Sequence, residues 1–146
     1  MASVSTYLLF SGNTEEAFNF YKTVFQSEFD GEIMRMGSVP PTPDQPPMPE
    51  AMKDMVMHVS LPILGGLHRL MGTDAPDSTD FKLVFGNNSY IMLSPDTRLE
   101  TERIFGGLSA GGTVETALQD MPWGDYYGSC TDRFGVKWMF NCAEKQ

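Results

Sequence analysis

Cysteine is scarce in this chain. Cys130 and Cys142 are the only two, and they form no CxxC pair, which excludes a zinc ribbon and a disulfide scaffold. Histidine is limited to His58 and His68, so imidazole chemistry has two possible sources. Basic residues are outnumbered, with 10 Lys plus Arg against 19 Asp plus Glu and a net charge of −9. At a pI near 4.5, a nucleic-acid backbone or an anionic membrane is excluded as main partner. No uninterrupted apolar run approaches the roughly 20 residues of a membrane span. The stretch Met1–Phe10 has neither a basic start nor a long apolar core, so no secretory leader is expected. What these absences leave is 146 residues, 41% of them apolar: one soluble, cytoplasmic globular domain with a real core, too short for two ordinary ones.

Proline is concentrated. Six of the ten prolines fall between Pro40 and Pro49, a stretch that can be neither helix nor central strand. It reads as a surface insertion, residues 39–52, either a plain loop or a lid over a site.

The chain also repeats itself. At an offset of 84 residues Leu9 meets Leu93, Asn13 meets Thr97, Glu16 meets Glu100, Phe20 meets Ile104, Tyr21 meets Phe105 and Val24 meets Leu108. Asn13 and Thr97 are helix N-cap types, each with a glutamate three residues on, the capping-box arrangement. The apolar residues that follow keep helical spacing, which predicts helices near 14–26 and 98–109. Strand-like segments follow each helix: 28–36, 56–63 and 67–72, then 113–118, 126–131 and 136–142. Asp132-Arg133-Phe134-Gly135 makes a good hairpin turn between the last two. The fold class is therefore α+β, a duplicated βαβββ pattern of curved mixed sheets with helices outside. Module one spans 1–75 and module two 76–146.

This duplicated pattern resembles the vicinal oxygen chelate superfamily of glyoxalase I, extradiol dioxygenases and bleomycin-resistance proteins, and within it the PhnB-like branch. The stretches that carry the likeness include Tyr7–Asn13, Ala17–Tyr21, Met57–Leu61, Leu108–Gly112, Leu118–Gly124 and Thr131–Met139. The resemblance implies a cup-shaped cavity and a homodimer. It also implies a divalent metal held by His or Glu at two first-strand and two last-strand positions. Aligned on this sequence, those positions are Thr6, Tyr90, Met139 and either Leu70 or Met71, none a usual ligand for such a metal. No metal and no cofactor is expected.

Strand alternation then selects side chains for the cup. Thr6, Leu8 and Phe10 are expected to face inward, with Tyr7 and Leu9 under the helix. Tyr90, Met92 and Ser94 face inward in module two. On the last strand Lys137, Met139 and Asn141 share the cup side, leaving Val136, Trp138 and Phe140 for the core. Met57, Val59 and Leu61 suit the core, turning His58 and Ser60 inward. Tyr126 is expected beside Asn141, and Trp123 at the rim. Thr6, Phe10, His58, Tyr90, Trp123, Tyr126, Met139 and Asn141 thus form the expected ligand-binding set, an apolar and aromatic wall with a few polar groups. His58 is the one candidate acid–base catalyst; no serine or cysteine is placed beside it for a triad.

The glycine-rich 106–112 stretch follows a helix instead of preceding one, so it ends the helix and is no phosphate loop. Relatives in this branch carry a demethylubiquinone methyltransferase label. The glycine loop within a larger parallel sheet that such chemistry normally uses has no room here. Three functions stay open: binding of a small apolar or aromatic molecule in a metal-free cup, a divergent lyase, isomerase or dioxygenase-like enzyme using a displaced metal or His58, or a purely structural dimer whose cup is filled with side chains.

Overall fold

The computed structural model describes residues 1–146, which divide into two compact units, Met1–Leu83 and Val84–Gln146. The first contains β1 (Thr6–Phe10), α1 (Thr14–Phe25), β2 (Met34–Arg35), β3 (Val56–Ile63) and β4 (His68–Asp74). The second contains β5 (Ile91–Leu93), α2 (Arg98–Ser109), β6 (Thr113–Asp120), β7 (Tyr126–Thr131) and β8 (Lys137–Cys142). Each unit is therefore βαβββ. The sheet orders are β1-β4-β3-β2 and β5-β8-β7-β6. In each the first strand runs parallel to the last and the other pairings are antiparallel. No helix is long and apolar enough to cross a membrane.

One face of each sheet is buried by its own helix. In the first unit α1 presents Ala17, Phe18, Tyr21 and Val24 at helical spacing, and these meet Phe10, Val59, Leu61 and Leu70, all buried. Phe18 stands edge-on to Phe10 and Tyr21, at centroid distances of 6.4 and 5.6 Å. Phe18 and Tyr21, not Phe20, are the fully buried aromatics of the stripe. The approach of Phe18 needs Gly72: a Cβ there would lie 2.6 Å from the Phe18 ring. In the second unit Ile104, Phe105 and Leu108 of α2 pack on Trp138, Phe140 and Cys142, with the Phe105 and Phe140 rings 5.3 Å apart.

The two helix starts differ. Thr97 caps α2, its side chain accepting the Glu100 N–H at 3.1 Å. Asn13 makes no side-chain cap. Asp74, at the end of β4, does that work instead: Oδ1 accepts from the Thr14 N–H at 3.0 Å and hydroxyl at 2.6 Å, and Oδ2 from the Val56 N–H at 2.8 Å. The expected strand over 28–36 shrinks to Met34–Arg35. Asp30 holds the preceding segment out of the ladder, its N–H bonded to the Ser60 carbonyl and its carboxylate to Ser60 Oγ and Arg69 Nε. The turn at 132–135 forms as expected. Gly135 adopts a φ of +93°, and the buried Asp132 carboxylate accepts from Phe134 N, Val136 N and Trp138 Nε1.

Candidate functional site

The face of each sheet away from its helix carries the side chains that no core claims. In the first unit these are Tyr7 and Leu9 on β1, 46% and 37% exposed, with Met71 and Thr73 beside them in register on β4. The expectation for β1 is thus corrected. Phe10 is 1% exposed and packs on Phe18 beneath α1, so it lines no cup. Thr6 also lies toward the helix side, its hydroxyl 2.8 Å from His68 Nε2, and Thr6 pairs with the fully buried Leu70.

The cause is one residue of chain length. Two residues separate Phe10 from Asn13, but three separate Leu93 from Thr97. The helices repeat at 84, whereas the buried strand residues Phe10 and Leu93 repeat at 83. A one-residue slip turns every side chain of a strand to the other face.

His58 reaches this open face through a β-bulge. Met34 pairs with His58 and Arg35 with Val56, so Met57 is an extra residue on β3. Val56 and Val59 both stay buried, while Met57 is 40% exposed and not a core residue as alternation suggests. His58 Nδ1 lies 3.0 Å from the Tyr7 hydroxyl, with the rings 5.7 Å apart. Partial burial pushes the Tyr7 hydroxyl above its ordinary value, keeping it protonated. Where the phenol donates to Nδ1, the imidazole hydrogen sits on Nε2; where Nδ1–H donates to the phenol oxygen, Nε2 is the acceptor. Ser60 is buried and spends its hydroxyl on Asp30.

In the second unit Tyr90, just before β5, and Met92, paired with Met139 of β8, lie on the corresponding face. Lys137, Met139 and Asn141 are half-buried, alternating with the buried Trp138, Phe140 and Cys142. Glu115 of β6 gathers a polar cluster, accepting from the Tyr90 hydroxyl at 3.1 Å, Lys137 Nζ at 3.1 Å and Thr131 Oγ1 at 3.2 Å. Burial pushes the Glu115 carboxyl upward, but these hydrogen bonds together outweigh it and hold the group below the usual carboxylate range. The same hydrogen bond to Glu115 pushes Lys137 upward, and its ammonium lies 5.2 Å from the Tyr90 ring centroid.

Tyr126 is the second correction. It pairs with the core residue Cys142, on the helix side, where the Arg98 guanidinium of α2 sits 4.3 Å over its ring. Thr131 pairs with Lys137, so the connection around the turn is one residue longer than expected, the last strand begins one residue later, and Tyr127 stands opposite Asn141. Trp123, 60% exposed, stands edge-on to Tyr127 at 6.3 Å. Asn141 Nδ2 donates to Asp125 at 2.9 Å, the first cause of the lowered Asp125 carboxyl, with Lys145 second.

Sequence reasoning thus missed Tyr7, Tyr127 and Glu115. Aligning the halves at 83 over the first strands sets Tyr7 against Tyr90 and would have found the first of these. For a divalent metal the residues do not fit. The open-face positions carry Tyr7, Tyr90, Met71 and Met139, and no group of three or more His, Cys, Asp or Glu is assembled to hold a cation. Asp74, a possible stand-in, is spent on backbone and hydroxyl donors.

A family model described as 3-demethylubiquinone-9 3-methyltransferase matches residues 2–140. Protein YjdN of Escherichia coli K12 is 30% identical over 152 residues, covering 98% of this chain and 97% of that protein. The crystal structure of protein PA1353 from Pseudomonas aeruginosa superposes with a TM-score of 0.80 at 32% identity, over 100% of both chains. A Bacillus cereus structure titled a putative 3-demethylubiquinone-9 3-methyltransferase, PhnB protein, matches with a TM-score of 0.72 at 24% identity. It covers 97% of this chain and 100% of that one, a likeness of fold.

Proposed function

This chain belongs to the 3-demethylubiquinone-9 3-methyltransferase family, the PhnB-like branch of the glyoxalase and bleomycin-resistance superfamily, and we propose that it binds a small, largely apolar or aromatic molecule on its open sheet faces without a resident metal. The fold hosts several chemistries, so the reading rests on the site. One observation carries it: the Tyr7–His58 hydrogen bond lies among exposed apolar side chains, Leu9 at 37% and Met57 at 40%. Exposed apolar surface around a few polar groups is the composition of a ligand site. With Nδ1 engaged by Tyr7, His58 Nε2 is left to donate to or accept from a ligand. The protein works as a homodimer in the cytoplasm on this reading.

A thermal-shift screen of metabolites and divalent cations on untagged full-length protein tests it. Neutral aromatic compounds should raise the melting temperature, and His58→Ala should remove most of the rise. A stoichiometric divalent metal found by elemental analysis, with stabilisation by cations alone, would overturn it.

The same hydrogen bond favours a second reading, acid–base catalysis of a lyase or isomerase type. Tyr7 would fix the tautomer while Nε2 moves a proton. Turnover of a bound ligand that disappears in His58→Gln, with binding retained, would select this reading over the first.

A further inference from the structure

The proline-rich segment encloses space of its own. Its neck is closed by backbone hydrogen bonds, Met36 N to Met55 O and Gly37 N to Lys53 O, both 2.9 Å. The two segments approach so closely there that a Cβ on Gly37 would lie 2.9 Å from the Lys53 Cβ. Between this neck and the sheet residues Met57 and Thr73 lies a cavity of about 710 Å³. It is half open to solvent, with a volume within the size of small-molecule sites.

The lining has an unusual composition. Four methionines, Met36, Met48, Met52 and Met57, face five prolines. Proline holds the wall in a fixed backbone shape. Methionine is unbranched, polarisable and able to repack around different shapes, and its sulfur favours the edges of aromatic rings. Each polar side chain of the lining has a partner within the protein. Lys53 Nζ is paired with Glu50 at 2.8 Å, Gln45 Oε1 accepts the Thr42 N–H at 3.3 Å, and Thr73 Oγ1 donates to the Val56 carbonyl at 3.1 Å. An anionic ligand would have to displace Glu50 from Lys53, and a cationic one would find no carboxylate in the lining, so either charge enters at a desolvation cost.

We infer that the 39–52 segment is the wall of a second binding site, selective for an uncharged, aromatic-bearing small molecule held by methionine and proline contacts. The site borders the one proposed above, sharing Met57 and Thr73 with that open face. Its lining includes neither Tyr7 nor His58, so it stands or falls without that reading.

Two dyes that share one scaffold test it on the full-length protein. N-phenyl-1-naphthylamine is uncharged, and 1-anilinonaphthalene-8-sulfonate adds a fixed negative charge. The neutral dye should bind saturably with a fluorescence rise, and the sulfonate about tenfold more weakly or worse. Met48→Glu and Met52→Glu should each weaken the neutral dye by about tenfold or more, whereas Leu99→Ala, at an exposed position on α2, should leave it unchanged. Methyl-¹³C-methionine spectra of the unaltered protein keep the test independent of variant folding: the dye should move the signals of the four lining methionines among the 11 in the chain. Equal binding of both dyes, no saturable binding, dye-induced shifts confined to other methionines, or loss of binding in Leu99→Ala with the glutamate variants intact would each overturn the inference.

Discussion

Asp132 is 3% exposed and accepts three hydrogen bonds, from Phe134 N at 2.8 Å, Val136 N at 3.1 Å and Trp138 Nε1 at 2.8 Å. It ties the β7–β8 turn to the fully buried indole at the centre of the second unit's core. Asp132→Asn keeps the shape but leaves one acceptor oxygen in place of two. If that oxygen stays on the backbone donors, the new amide N–H group opposes the indole N–H, and a buried donor loses its partner. A lost charge-assisted bond together with an unsatisfied buried donor is worth about 2–4 kcal/mol. Relief of carboxylate desolvation offsets part of this, so a net loss of about 2–3 kcal/mol is expected. For a chain of this size that lowers the melting temperature by roughly 4–12 °C. Far-ultraviolet circular dichroism in urea measures it without depending on tryptophan emission. The decisive comparison is the Trp138→Phe background, where no indole donor remains: there Asp132→Asn should cost less by about 1.5–3 kcal/mol. An equal cost in both backgrounds, or a midpoint unmoved in the first, would refute the assignment of Asp132 as the indole's partner.

The unequal helix starts predict unequal variants: Thr97→Ala should cost about 1 kcal/mol in urea titrations and Asn13→Ala less than about 0.5 kcal/mol. Asp74→Ala, which strands the buried Thr14 and Val56 amides, should cost about 2–4 kcal/mol. Cys130 and Cys142 are both buried, and burial pushes the Cys130 thiol up to about 12. Native protein should therefore stay unreactive toward dithiobisnitrobenzoate at mildly alkaline pH and release two equivalents only when unfolded; fast native labelling of Cys130 would contradict its packing. Light scattering at micromolar concentration should return twice the 16.2 kDa chain mass, since the exposed edge strand β6 invites pairing and twofold closure is the commonest assembly; a clean monomer would count against the homodimer.

Legibility in the sequence followed contrast. Lys137–Cys142 alternates large aromatics with polar or flexible residues, so its two faces were readable, and Trp138 and Phe140 are buried as expected. The helices were readable because a cap residue and an apolar stripe coincide, although at α1 the capping comes from Asp74, 60 residues away in sequence, which no local pattern contains. Thr6–Phe10 is apolar on nearly every residue, so period-two reading has nothing to grip. The 28–36 segment alternates like a strand but is claimed by long-range bonds from Ser60 and Arg69. Of the site, His58 was found on its open face, but by a different route: the bulge at Met57 is set by register with β2, which sequence spacing cannot reveal.

The one-residue difference between the halves also changes what their symmetry means. At an offset of 83 the strands set Tyr7 against Tyr90, each on the face away from its helix and each bonded through its hydroxyl to a side chain of another strand. The partners have diverged. In the second unit phenol, carboxylate and ammonium satisfy one another around Glu115, leaving a closed network whose removal would strand charge. In the first unit the phenol meets a single imidazole, whose other nitrogen can donate to or accept from a ligand. The duplication thus supplies two equivalent tyrosine positions with different partners, and the ligand recognition proposed above rests on the Tyr7–His58 half. Substitutions at Lys137 should accordingly act on stability, and substitutions at His58 on binding.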